Sequence, residues 1–94
     1  MKISDVIWLA DVIEKLEYKH HLFTDELEDV FFHRPVFRKV QKGNIKGEDL
    51  YAALGRTAAG RYVIVFFILK NGKEALIISA RDMDNKERQL YDRK

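Results

Sequence analysis

The sequence predicts an α+β domain in which two N-terminal helices pack on an antiparallel β-meander of about four strands, with a third helix at the C-terminus. Three observations carry this. Apolar residues recur at the helical period early in the chain, alternating and β-branched runs separated by turn residues fill the middle, and a capping pattern opens the tail. With 94 residues, 47% of them hydrophobic, one domain over residues 1–94 is expected, large enough to bury a core.

Val6, Ile7 and Trp8 suit a short strand. Residues 9–20 then carry Leu9, Val12, Ile13 and Leu16 at i, i+3, i+4 and i+7, the stripe of an amphipathic helix. Thr24 is the expected cap of a second helix, with Asp25 and Glu26 in its first turn and Leu27, Val30 and Phe31 on its buried side, before Pro35 ends helical geometry. Residues 36–40, 50–56, 62–69 and 74–81 read as strands. Asn71-Gly72 fits a two-residue type I′ turn that pairs Lys70 with Lys73. The tail from 84 to 93 reads as a helix capped by Asp84, with Glu87 three residues on in capping-box position.

Composition excludes several functions. Without cysteine there is no disulfide framework, thiolate metal site or cysteine nucleophile. The longest apolar run, 62–69, falls far short of the roughly 20 residues that span a bilayer, and Met1-Lys2-Ile3-Ser4 opens no secretory signal, so a soluble, cytoplasmic protein is expected. The net charge of +2 conceals an uneven distribution. Residues 1–32 hold 3 basic and 8 acidic side chains, whereas residues 33–94 hold 14 and 7, a basic portion suited to a polyanion.

The Asn-Gly turn also assigns faces, because directly opposed residues project the same way. Pairing back from Lys70 and Lys73 puts Val63, Val65, Phe67, Leu76, Ile78 and Ala80 on one apolar face, expected to meet the helices. Tyr62, Ile64, Phe66, Ile68, Ala75, Ile77, Ser79 and Arg81 fall on the other. If Gly60 takes the left-handed position of a three-residue loop with a bulge, Arg56 joins Tyr62 and Arg81. Arg56, Tyr62 and Arg81, with Arg88 and Tyr91 at i and i+3 on the last helix, then form a candidate phosphate site, since the guanidinium fork matches phosphate oxygens. The alternative is that these arginines pair with Asp82, Glu87 or Asp92.

Arg34, Arg38, Lys39, Lys42 and Lys46 lie in a stretch, 33–47, without acidic residues and with Phe37 among them. This suits an RNA backbone; the alternative is a solvated edge strand and loop, blunted by lysine against aggregation. Arg61 and Arg88 extend the basic set. Lys19, His20 and His21 close the first helix, where cations complement the dipole and a histidine can serve as acid or base. A metal site from Glu17, His20 or His21 and His33 has poor spacing, and neither a P-loop nor a dinucleotide fingerprint is present.

Taken together, Trp8, Lys19-His20, residues 23–32, Gly47-Glu48-Asp49, Ala53-Leu54-Gly55-Arg56-Thr57, Gly60-Arg61 and above all Ile77-Ile78-Ser79-Ala80-Arg81 with Glu87-Arg88 and Tyr91 resemble the BrnT family of bacterial type II toxins. The resemblance implies a RelE-like ribonuclease fold, RNA cleavage without a metal or other cofactor, and a cognate BrnA-like antitoxin that also binds operator DNA. It implies Arg56 and Arg81 on the phosphate, Glu48 or His20 as base, and Lys19 and Tyr91 in support. Two positions depart from the family pattern. His21 stands where glycine is usual, and Leu50 where an arginine commonly follows the glutamate, which supports an alternative reading as a module that binds antitoxin or RNA without cleaving it.

Overall fold

The computed structural model describes residues 1–43, 45 and 47–93. In chain order the elements are β1 (Asp5–Ile7), α1 (Ala10–His20), α2 (Thr24–Phe32), β2 (Val36–Gln41), β3 (Leu50–Arg56), β4 (Tyr62–Lys70), β5 (Glu74–Asp82) and α3 (Asn85–Asp92). The α+β class is as expected, but the sheet has five strands, ordered β1-β5-β4-β3-β2. The extra one is β1, which runs parallel to β5 and makes the sheet mixed.

Helices α1 and α2 lie on one face. Leu16, Leu22, Leu27, Val30 and Phe31 meet Ala53, Val63, Val65, Phe67, Ala75, Ile77 and Ala80, all buried. Phe31 stands edge-on to Phe67 with centroids 5.2 Å apart, the preferred arrangement of aromatic rings. At Gly55 an added Cβ would lie 3.0 Å from Val30 Cγ1, so glycine lets α2 settle directly on the end of β3. The other face carries a second core of Ala52, Leu54, Ile64, Met83 and Tyr91, covered by α3.

Three expectations are corrected. The β4–β5 turn places both Asn71 (φ 54) and Gly72 (φ 73) in the left-handed region, yet the ladder closes on Lys70 opposite Glu74, not Lys73. The Lys73 N–H does donate to the Lys70 carbonyl at 3.1 Å, as the two-residue turn requires, but the Lys73 carbonyl accepts a 2.8 Å hydrogen bond from the Ser4 N–H, at the approach to β1. That one-residue slip turns Ala75 and Ile77 to the helix face and Leu76, opposite Ile68, away from it. A bulge at Ile78 restores the expected parity, so Ala80 faces the helices and Ser79 and Arg81 face away. Secondly, Thr24 is the first residue of α2 and Phe23 its N-cap, whose N–H donates to Glu26 Oε1 at 3.1 Å. Thirdly, α1 begins one residue late and of its stripe only Leu16 is fully buried.

At the opposite end of the sheet the expected loop forms. Gly60 (φ 89) closes it, the Thr57 N–H donates to the Arg61 carbonyl at 2.9 Å, and Arg56 lies opposite Tyr62. Arg56 and Arg81 therefore share a face. Among the described residues no helix is long and apolar enough to cross a membrane.

Candidate active site

The end of the sheet where β3 turns into β4 gathers side chains from both layers. Tyr62 is held by a T-shaped contact with Tyr91, centroids 5.9 Å apart, and its hydroxyl donates to Asp92 at 3.3 Å. The Arg56 guanidinium lies 4.7 Å and that of Arg88 4.2 Å from the Tyr62 ring centroid. Stacking uses the flat faces of the guanidiniums and leaves their N–H edges for hydrogen bonding. Neither arginine has a carboxylate partner among the described residues; Arg56 makes only a 3.4 Å bond to the Gly60 carbonyl.

Arg61 and Arg81 are differently employed. Arg61 donates to Asp82 at 2.6 and 3.2 Å and to the carbonyls of His21 and His20 at 2.8 and 2.7 Å, so it ties the end of α1 to β5. Glu26 of α2 adds a contact at 3.8 Å. Arg81 makes a bidentate pair with Glu87 at 2.7 and 2.9 Å and lies over Phe66. Glu87 also accepts from the Asp84 N–H while Asp84 caps the helix, so the pair fastens α3 to the sheet. The hydrogen bonds from Arg61 and Arg81 hold the carboxyls of Asp82 and Glu87, respectively, below their ordinary values. For Arg81 this is the kind of pairing that the sequence offered as the alternative to phosphate contact; the Arg61–Asp82 pair was not among those expected.

The remaining expected residues are dispersed. Leu50 and Arg56 end β3, roughly 20 Å apart at ~3.3 Å per residue, and Glu48 lies beyond the Leu50 end. Glu48 Oε1 is 3.5 Å from Lys70 Nζ, in a cavity of about 360 Å³ shared with Lys42, Leu50 and Ile68. The structure therefore separates Glu48 from the arginine pair. His20 and Lys19 close α1, and the backbone of His20 receives Arg61. Arg38 and Lys39 follow the β2 edge, with Lys39 paired to Asp49 at 3.0 Å, and Arg34 sits at the α2–β2 turn with φ 55. Lys46 lies outside the described residues.

Two cavities flank Arg56. One, about 550 Å³, is lined by Arg56, Gly60, Arg61, Tyr62, Asp82, Met83 and Arg88. The other, about 400 Å³, is lined by His33, Arg56, Thr57, Ala58, Gly60 and Tyr91. His33 entered the sequence reading only as a poor metal ligand. Its one sequence cue is its place four residues after Asp29, at the end of a helix. Among the described residues no three His, Asp or Glu side chains gather as metal ligands do.

The model of the family "Ribonuclease toxin, BrnT, of type II toxin-antitoxin system" matches residues 11–87. The chain belongs to the BrnT family. The match spans nearly all of both N-terminal helices, the meander and the opening of α3; it includes Arg56, Tyr62 and Arg81 and stops before Arg88 and Tyr91. The crystal structure of the Brucella abortus ribonuclease toxin BrnT has a similar fold, with a TM-score of 0.58 and 18% identity over 86% of this chain and 97% of that one. No curated protein matches. As a BrnT, the chain falls among the ribonuclease toxins of type II toxin-antitoxin systems, which act on RNA and are paired with an antitoxin.

Proposed function

We propose that this BrnT chain cleaves RNA in the cytoplasm by attack of the ribose 2′-hydroxyl on the adjacent phosphate, without a metal ion, and that a BrnA-like antitoxin neutralises it. The observation that carries the reading is the pair of guanidiniums, Arg56 and Arg88, stacked on Tyr62 beside two cavities and lacking carboxylate partners among the described residues. Such a pair supplies fixed positive charge where charge develops on the phosphorane oxygens, the task a metal performs elsewhere. Tyr91 holds Tyr62 through the T-shaped ring contact. Arg81, first expected on the phosphate, is assigned to positioning: through Glu87 it holds the helix that presents Arg88.

Arg56→Ala and Arg88→Ala should each reduce cleavage of a single-stranded RNA roughly 10²-fold or more, with the circular dichroism spectrum and melting temperature kept. Wild-type cleavage should persist in EDTA. A rate abolished by EDTA, or arginine variants as fast as wild type, would contradict the proposal. Binding without cleavage is the second reading. It draws on Leu50, which lines the Glu48 cavity beside Ile68 where the family pattern has a cation.

A further inference from the structure

The cavity between α2, the β3–β4 loop and α3 contains a histidine in one defined tautomer. His33 Nδ1 lies 2.9 Å from the Asp29 carbonyl oxygen. A carbonyl only accepts, so Nδ1 carries the proton, and in the neutral ring Nε2 holds the lone pair. With Nδ1 turned back to its own helix, Nε2 is the nitrogen left for the cavity that His33 lines with Arg56 and Tyr91.

The position of this ring is built by its surroundings. Gly55 lets α2 approach β3 through Val30, and Asp29 Oδ2 accepts the Ala58 N–H at 3.0 Å, which joins the end of α2 to the loop following Arg56. The tether thus uses the side chain of Asp29 for the loop and its carbonyl for His33. One residue relates the imidazole to the arginine across two elements. The ring's hydrogen-bond partner is the Asp29 carbonyl of α2, and the titratable groups that line the same cavity are Arg56 from β3 and Tyr91 from α3.

We infer that His33 is the catalytic base of the RNA cleavage proposed above, in place of the distant Glu48; the inference rests on that reading of the Arg56 site. With the phosphate on Arg56, Nε2 takes the proton of the 2′-hydroxyl as the O2′–P bond forms. The P–O5′ bond breaks, leaving a 2′,3′-cyclic phosphate, and the departing 5′-oxygen takes a proton from water, which the open cavity admits. His33 afterwards returns its proton to solvent. Arg56 and the imidazole therefore act on opposite requirements of one step, charge on the phosphate and removal of a proton.

The test compares His33→Asn with Arg56→Ala in the full chain, using a labelled single-stranded RNA oligonucleotide. An asparagine amide N–H can keep the bond to the Asp29 carbonyl but provides no basic nitrogen, so it separates chemistry from helix capping. His33→Asn should retain the melting temperature and RNA affinity and lose about 10²–10⁴-fold in kcat, with the acidic limb of the pH–rate profile removed. An unchanged kcat and profile in His33→Asn, with Arg56→Ala slow, would overturn the role of His33 and leave the arginine site standing. Full activity in Arg56→Ala, or no cleavage by the wild-type chain, would overturn both.

Discussion

His21 carries φ 50 at the end of α1, where the Leu22 N–H reaches back to the Leu16 carbonyl at 3.1 Å. This is the left-handed closure of a helix, a conformation glycine adopts without strain and other residues at about 1 kcal/mol. The glycine that the family resemblance implies at this place would have that physical meaning. Reading Lys19, His20 and His21 as cations on a helix dipole could not reveal it, because charge gives no information on φ. His21→Gly should stabilise the fold by about 1 kcal/mol and raise the melting temperature by roughly 4–8 °C, measured by thermal unfolding. The Arg61 bond should survive, since it uses the backbone carbonyl at position 21. A lower melting temperature would show that the imidazole contributes more than the strain costs. The arginines give the same lesson at residue scale. The sequence reading placed Arg56, Arg81 and Arg88 at the site and Arg61 in the wider basic set, and only the coordinates distinguish Arg56 and Arg88, on the Tyr62 ring, from Arg61 and Arg81, locked to carboxylates.

At the scale of elements, the helices and turns were legible because their signals are local: a 3.6-residue period, a cap, an Asn-Gly pair. The β4–β5 register was not: the ladder starts at Glu74, the Lys73 carbonyl bonds to the N–H of Ser4, distant in sequence, and a bulge at Ile78 then restores the phase. The phase at Arg81 came out correctly because the slip and the bulge cancel. Two ion pairs then attach helices to this sheet, Arg61 with Asp82 at the end of α1 and Arg81 with Glu87 at the start of α3. Both carboxyls are held below their ordinary values, first by hydrogen bonds from those arginines. A carboxyl with a depressed folded-state pKa contributes stability above its unfolded value, about 4, and loses it as pH falls through the folded value. The melting temperature of the wild type should therefore fall as pH drops below about 4. An Asp82→Asn, Glu87→Gln double variant should melt lower at pH 7 and lose less on acidification, the two curves converging at low pH. Parallel curves would show that neither pair is coupled to folding. Both pairs are partly solvated, so the effect is modest.

Across the whole molecule, the charge asymmetry of the chain becomes a division of labour. The acidic first third forms the helical layer, and its carboxylates reach over the sheet end, Asp29 to the Ala58 N–H and Glu26 to Arg61. The basic remainder forms the sheet and α3, but its excess is not spread evenly over one RNA face. Lys39 is paired with Asp49, Lys70 lies near Glu48, and Arg61 and Arg81 are internal fasteners. If RNA binds at the sheet end, few phosphates are neutralised, and affinity should depend on salt much less steeply than 14 basic residues in 33–94 would suggest. For single-stranded nucleic acid each neutralised phosphate contributes about −0.7 to the slope of log K against log salt. Arg56→Ala and Arg88→Ala should each make the wild-type slope shallower by about 0.7, whereas Lys39→Ala and Lys70→Ala should leave it unchanged. Fluorescence titration of a labelled, uncleavable 2′-O-methyl RNA over a range of salt concentrations measures all five slopes without interference from turnover. A slope altered by the lysine variants and not by the arginine variants would move the RNA path from the end of the sheet to the β2 edge and the Glu48 cavity.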